Sequence, residues 1–438
     1  MNAIAVIPKP PPKKAKIDTQ DAIPRAEVEV VSKIEAKHSE QLKKKAKAPA
    51  RSFTAPTVLS NREVFGAEVD AEALFGFLSA AAEITEKKGP LSNIKLAYQP
   101  GADKAFLEAA GFDIWTVVAM AATPKGAQGF ELLVPVRQAR NAANLTRDDF
   151  KRAQLGFDAD GFWLGQHCLQ PGGEVADFPS RPVLRQYEAR AAIPAWYCGE
   201  VCNRVLGAMS RDPSKPQLDG VLLEFDEYSC TAIATDGYRL HMLRLPQMKI
   251  DPRGKRKPPS VFVRDSFFRW LRAVANREWT AIEISDSQIS GRGEDYYAVS
   301  RALPKGEAGP ISGWEKAAPT YPGWLTLDAK EFDRVLSLAN KQGSDVDLEY
   351  GGLDKLAVIF HDSDKHPVRN EIGARRSGGP TKISVRLDPQ YLLDAVRGTK
   401  SGLIRLGAPS KVSEQEFHAV TIQGDDDLFK AVVMPKRR

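Results

Sequence analysis

One local pattern opens three times in this chain: an extended apolar residue, a helix-capping residue, then apolar residues at helical spacing. It reads Val69-Asp70-Ala71-Glu72-Ala73-Leu74, Ile193-Pro194-Ala195-Trp196-Tyr197 and Leu327-Asp328-Ala329-Lys330-Glu331-Phe332. An Asp side chain accepts from free amides of the first helical turn, and Pro is tolerated there because its missing N–H has no partner in any case. Similar starts follow at Val134-Pro135-Val136-Arg137, Val263-Arg264-Asp265-Ser266-Phe267 and Leu387-Asp388-Pro389-Gln390-Tyr391. Six helices in three rounds are expected. Between them lie short strand candidates such as Thr280–Ile284, Asp347–Tyr350, Lys355–Phe360 and His418–Ile422, whose hairpin-scale spacing favours antiparallel pairing. No glycine-rich phosphate loop occurs. The pattern predicts α+β architecture in three similar units, cut near 185 and near 320.

The chain's 438 residues are enough for about three domains of ~100–200 residues. With 42% hydrophobic and 27% charged residues it reads as globular. It has no run of about 18 apolar residues and no secretory leader, so a cytoplasmic protein without membrane contact is expected. Cys168, Cys198, Cys202 and Cys230 are too scattered for a disulfide framework or a zinc set, and core packing is the expectation.

Charge is unevenly spread. Residues 1–60 carry 12 Lys and Arg against 6 Asp and Glu, which accounts for the chain's whole formal charge of +6. Rich in Pro and Lys and without apolar periodicity, this segment reads as a disordered basic arm, either plain solvated extension or a salt-dependent phosphate contact. The body is formally neutral, yet its six helical segments sum to +5. The helices from 135 and from 264 contribute +3 each, the one from 193 +1, and the one from 69 −2. The loop Arg253-Gly254-Lys255-Arg256-Lys257 adds another basic patch.

The run Thr231-Ala232-Ile233-Ala234-Thr235 meets an Asp236-Gly237 turn and leaves as Tyr238-Arg239-Leu240-His241-Met242, a hairpin with one buried face. Together with Gly220-Val221-Leu222-Leu223-Glu224-Phe225 before it, and with the chain's last residues Val432-Val433-Met434-Pro435-Lys436-Arg437-Arg438, this stretch resembles the bacterial DNA polymerase III beta subunit, the sliding-clamp family. Ala176-Asp177-Phe178-Pro179 and Leu387-Asp388-Pro389-Gln390-Tyr391 add weaker likenesses, and the resemblance covers roughly residues 60 to 438. It departs from the family at Tyr238, where His is common, at Lys436 and Arg438, where apolar residues are common, and at Ile311-Ser312-Gly313-Trp314.

The resemblance implies three clamp domains, 61–185, 186–320 and 321–438, behind the arm 1–60. Antiparallel sheets would lie outside and paired helices inside, and a homodimer would close as a ring around duplex DNA. Arg137, Arg140, Arg204, Arg269 and Arg272, with Arg253, Lys255, Arg256 and Lys257, are the candidate DNA contacts. Linear peptides of the replicative polymerase and clamp-loader subunits would dock between two walls. Leu218, Thr235, Gly237, Tyr238, Arg239 and Leu240 would form one, and Val432, Met434, Pro435 and Arg437 the other, with Tyr391 as a gate. Leu, Val, Met and Pro suit an apolar peptide anchor.

No catalytic constellation accompanies these motifs. The chain lacks a Gly-x-Ser-x-Gly elbow, a Walker loop and a His-Glu-x-x-His pair. Asp425-Asp426-Asp427 lacks the spaced ligands of a calcium loop and reads as a solvated turn, while His361 and His366 flank a polar loop without an evident third ligand. The expected function is a processivity factor without enzyme activity, cofactor or metal. Two alternatives stand beside it: a clamp-like regulator that binds clamp partners without encircling DNA, and an unrelated protein that binds DNA through its basic arm.

Overall fold

The computed structural model describes residues 65–436 apart from 159, 184–185, 249, 253–259, 276–278, 309–310, 312, 315–317, 379 and 416–417. Helices begin at all six expected starts: α1 (Ala71–Ile84), α2 (Val136–Asp149), α3 (Ala195–Glu200), α4 (Asp265–Val274), α5 (Ala329–Lys341) and α6 (Pro389–Thr399). Asp70 accepts from Ala73 N, Asp328 from Glu331 N, and Asp388 from Gln390 N with Pro389 in the first turn. Each cap thereby satisfies amides that have no intrahelical partner. Helix α3 is short because the chain widens into a π turn at Val201–Val205 and then tightens at Leu206–Ala208. The wide turn carries Arg204 inward. A further helical turn spans Val412–Gln415.

The strands pair antiparallel. In the first round Phe65–Asp70 lies between Ile114–Lys125 and Arg152–Phe157. In the second, Ser229–Thr235 lies between Val221–Phe225 and Arg239–Pro246. In the third, Trp324–Asp328 lies between Pro367–Ser377 and Leu403–Gly407.

Two ladders cross between rounds. Ile114–Lys125 pairs with Tyr296–Pro304, setting Trp115 opposite Val299, and Arg239–Pro246 pairs with Phe429–Val433, setting Leu240 opposite Val432. Hydrogen-bonded β-structure therefore runs through all three rounds. The helices follow it in one row: α2 packs on α1, α1 on α4, α4 on α3, the π turn on α6, and α6 on α5.

Side-chain alternation sorts the two faces. His241 turns toward the helices, where its Nδ1 meets Arg204 O at 2.8 Å. Leu240 and Met242 face the other way, into a buried cluster with Leu218, Phe262, Ile311 and Val432. The result is the α+β, antiparallel, six-helix architecture that the capping pattern predicts. No helix among the described residues is long and apolar enough to cross a membrane.

Candidate partner-binding site and helix arginines

The turn at Asp236-Gly237 is built by its own side chains. Asp236 Oδ1 accepts from Tyr238 N at 2.9 Å and Arg239 N at 3.0 Å, and Thr235 Oγ1 accepts from Gly237 N at 3.1 Å while donating to Arg239 O at 2.5 Å. Gly237 has φ +95°, a conformation that side chains resist. The chain leaves the turn directly against its own terminal strand. Arg239 stands opposite Val433, Leu240 opposite Val432, and Met434 N donates to Tyr238 O at 2.8 Å. The two motifs are thus neighbouring strands, and they make one continuous floor rather than two facing walls.

Leu218, Leu240 and Val432 are buried together in that floor, and Trp314 packs against it half-buried. Tyr238 and Met434 stand at its edge, 58% and 37% exposed, with Pro435 half-buried beside them. Lys215 Nζ lies 5.4 Å from the Tyr238 ring centre. Tyr391, in the first turn of α6, sits over the Arg239 guanidinium at 4.4 Å. Arg239 is itself held by Asp236 at 3.0 Å and by Asp394 of α6. Lys436 ties the chain's end to the third round: its N donates to Arg386 O at 2.8 Å, and its Nζ meets Asp345 at 2.5 Å and Asp388 at 3.1 Å. Arg437 lies outside the described residues.

The helix arginines divide into three groups. Arg137 and Arg140 are exposed on α2. Arg269 and Arg272 share their charge with acids: Arg269 Nε meets Asp265 at 2.6 Å, and both approach Glu83 of α1 at 3.9 and 3.8 Å. Arg204 corrects the sequence expectation of a DNA contact. It is buried, donating from Nε to Gly398 O at 2.5 Å and from Nη2 to Thr399 O and Asp426 Oδ2, both at 3.1 Å. Buried at 4% exposure, the guanidinium is out of reach of phosphate, and Nη1 lies 3.6 Å from Glu200. Arg253, Lys255, Arg256, Lys257 and the arm 1–60 lie outside the described residues.

Asp426 is likewise more than part of a solvated turn, since it is the carboxylate that receives Arg204. Sequence reasoning missed this pair because 222 residues separate its members and neither carries a local signal. Cys198 and Cys230 are buried in the core and Cys202 is half-buried, but Cys168 is exposed, against the expectation of core packing. Burial pushes Cys198 up, and Cys202 and Cys230 up to about 12, leaving them protonated at neutral pH. In the exposed turn before Pro367, Asp362 Oδ1 accepts from Asp364 N and His366 N, the ordinary bonding of a tight turn.

No family model matches the sequence, and no curated protein matches it. Solved structures do. The DNA polymerase III subunit beta of Pseudomonas aeruginosa aligns over 85% of this chain and 99% of its own, with 18% identity and a TM-score of 0.69. That of Thermotoga maritima aligns over the same shares with 15% identity and a TM-score of 0.69. The chain has the sliding-clamp fold. A Bartonella birtlesii sliding clamp solved with griselimycin bound is similar over 85% of this chain and 99% of its own, with 17% identity and a TM-score of 0.68. Within the sliding-clamp fold of this chain, the Asp236-Gly237 turn and the Met434-Pro435 terminus meet where the second round joins the third.

Proposed function

We propose that this chain is a sliding clamp: a cytoplasmic, non-catalytic ring of two copies that encircles duplex DNA and tethers a replicative polymerase and other factors. The segments 61–185, 186–320 and 321–438 act as its three domains. Peptides of the polymerase and of clamp-loader subunits dock on the floor of Leu218, Leu240 and Val432. There Met434, Pro435 and Tyr238 form the rim, Thr235 and Gly237 the supporting turn, and Tyr391 over Arg239 the gate. Arg137 and Arg140 face the duplex, with Arg269 and Arg272 contributing less because they share Asp265 and Glu83.

The observation that carries the ring reading is the rule of the two internal joints. At each, the fourth strand of one round pairs with the last strand of the next round. The third round's equivalent strand, Pro367–Ser377, has no strand on the free side of Pro367–Gly373 among the described residues. The first round's last strand, His167–Leu169, is paired there only with Phe162–Leu164. The two open edges fit each other in a second copy, and two such joints close a ring.

Light scattering at micromolar concentration, followed by retention on circular DNA, tests this. A dimer loaded on a closed circle stays bound at high salt and leaves when the circle is linearised, because topological binding needs no phosphate grip. Binding that disappears with salt regardless of topology overturns the ring and marks ordinary electrostatic attachment. The competing reading, a regulator that occupies clamp partners without encircling DNA, draws on the burial of Arg204 and the acid pairing of Arg269 and Arg272. A strict monomer that still binds clamp-motif peptides supports that reading.

A further inference from the structure

The joint between the first and second rounds repeats the construction of the joint between the second and third. On the face turned away from the helices, Trp115 stands opposite Val299 and Val117 opposite Tyr297, as Leu240 stands opposite Val432. The lining agrees with that face: no residue of α1–α6 lines the cleft at Trp115 and Val117, whereas Val118 and Met120 lie near Phe77 of α1 and Val274 of α4. A 3₁₀ turn supports each cluster, Pro90–Ser92 supplying Leu91 to the first and Pro216–Leu218 supplying Leu218 to the second. A connecting segment closes each, with Phe178 in the first and Ile311 and Trp314 in the second.

We propose that the first joint is a second docking cleft, and that it takes a short extended segment of another protein bearing a large apolar side chain and a nearby carboxylate. The cleft measures about 430 Å³, within the ~300–1,000 Å³ range of ligand pockets. Trp115, Val117 and Phe178 form its apolar base, and Phe106, 39% exposed, stands at its rim.

Charge selects the occupant. Two cations line the cleft, Lys95 and Arg181. Lys95 is already neutralised by Glu108 at 2.7 Å and Glu131 at 3.4 Å. Arg181 is exposed, its guanidinium carbon lies over the rings of Trp115 at 5.6 Å and Tyr297 at 4.8 Å, and it has no carboxylate partner among the described residues. A guanidinium presents its donors as a planar fork that matches a carboxylate and stacks on aromatic faces, and Trp, Tyr and Arg are the side chains that dominate binding hot spots.

The inference extends the peptide-docking reading of the second joint but does not depend on peptides binding there. Its test separates the two joints. The probe is acetyl-Gly-Leu-(4-fluorophenylalanine) with a free C-terminal carboxylate, titrated by fluorine NMR into the full chain and into variants. Binding that survives Met434→Ala is expected to weaken at least about tenfold on adding Arg181→Gln, the loss of one charge-assisted hydrogen bond. Amidating the peptide's C-terminus should weaken it equally, and should have no further effect once Arg181 is replaced. Arg181 is exposed, so its replacement leaves the fold intact. If no binding survives Met434→Ala, or the surviving binding ignores both Arg181→Gln and amidation, the first-joint cleft is overturned. If Met434→Ala changes nothing while Arg181→Gln does, the first-joint cleft stands and the second-joint reading fails.

Discussion

Arg204 and Asp426 meet at 3.1 Å across the joint of the second and third rounds. The same guanidinium caps the last carbonyls of α6 at Gly398 and Thr399, lies 4.9 Å over the Phe429 ring, and has Glu200 at 3.6 Å. Glu200 in turn holds Lys400 at 2.5 Å. The cluster sits where the π turn packs on α6, so it clamps two rounds that the sheet alone joins through five residue pairs.

Removing the central cation takes a partner from the half-buried Asp426, leaves the buried Glu200 with Lys400 alone, and strips the helix-end carbonyls of their donor. Arg204→Met should therefore cost about 3–5 kcal/mol in urea unfolding. The folded variant should keep the salt dependence of its DNA binding, since the buried Arg204 does not reach phosphate. A loss below about 1 kcal/mol would sink the bracing role, and a reduced salt slope would restore Arg204 as a DNA contact.

His241 makes the same joint sensitive to acid. Its Nδ1 donates to Arg204 O, its Nε2 is buried without a partner among the described residues, and the Phe429 ring stands 5.3 Å away. Burial, and then the nearby charge of Arg239, lower its pKa from 6.5 to about 4. The unfolded chain takes up this proton near 6.5, whereas the folded chain resists it until about 4. The stabilisation is thus complete above 6.5 and is lost as pH falls toward 4, by about 3 kcal/mol in all. Urea midpoints at about pH 7 and about pH 4.5 should diverge less in His241→Gln than in the parent. An equal divergence would assign the acid sensitivity to other groups.

What was legible in the sequence was what is decided locally. Asp70, Asp328 and Asp388 announce helices because a cap needs only the three residues that follow it, and all three helices start there. The Asp236-Gly237 hairpin is equally local. Counting helix charges was less informative, because Arg269 and Arg272 look free in a sum over residues 264–277 while Glu83, from another helix, approaches both. Arg204 misled for the same reason. Its burial comes from Gly398, Thr399 and Asp426, which no periodicity near position 204 reveals. The neighbourhood of Thr235 and Met434 was legible only through family resemblance, and even that suggested two walls where the backbone makes one floor.

For the second joint, exposure decides which substitution tests peptide binding cleanly. Leu240 is buried, so Leu240→Ala removes packing as well as docking surface and should cost about 2–5 kcal/mol of stability. Met434 is 37% exposed at the rim, and Met434→Ala should leave unfolding nearly unchanged. Fluorescence anisotropy with a labelled clamp-motif peptide should show at least tenfold weaker binding for Met434→Ala, and none for the double variant, with the oligomeric state intact in both. Unchanged affinity in the double variant would remove the docking assignment.

The ring reading also fixes a register between two copies. At the internal joints, the residue opposite the end of the preceding hairpin strand faces the last round's strand one position in: Leu240, opposite Thr235, faces Val432, and Trp115, opposite Ala110, faces Val299. In the third round the equivalent residue is Pro367, opposite His361. In the first, the equivalent of Val432 and Val299 is Cys168, opposite Trp163 as they stand opposite Thr421 and Ser290. Cys168 of one copy is therefore placed across from Pro367 of the other. Facing residues of an antiparallel pair lie about 4.5–5.5 Å apart between Cα atoms, inside the ~4.4–6.8 Å span of a disulfide. Cys168 is exposed, whereas Cys198 and Cys230 are buried and Cys202 is half-buried. Pro367→Cys should give a covalent dimer under mild oxidation on a non-reducing gel, and adding Cys168→Ser should abolish it. A stable dimer that never crosslinks would refute this register, and a chain that stays monomeric throughout would refute the ring itself.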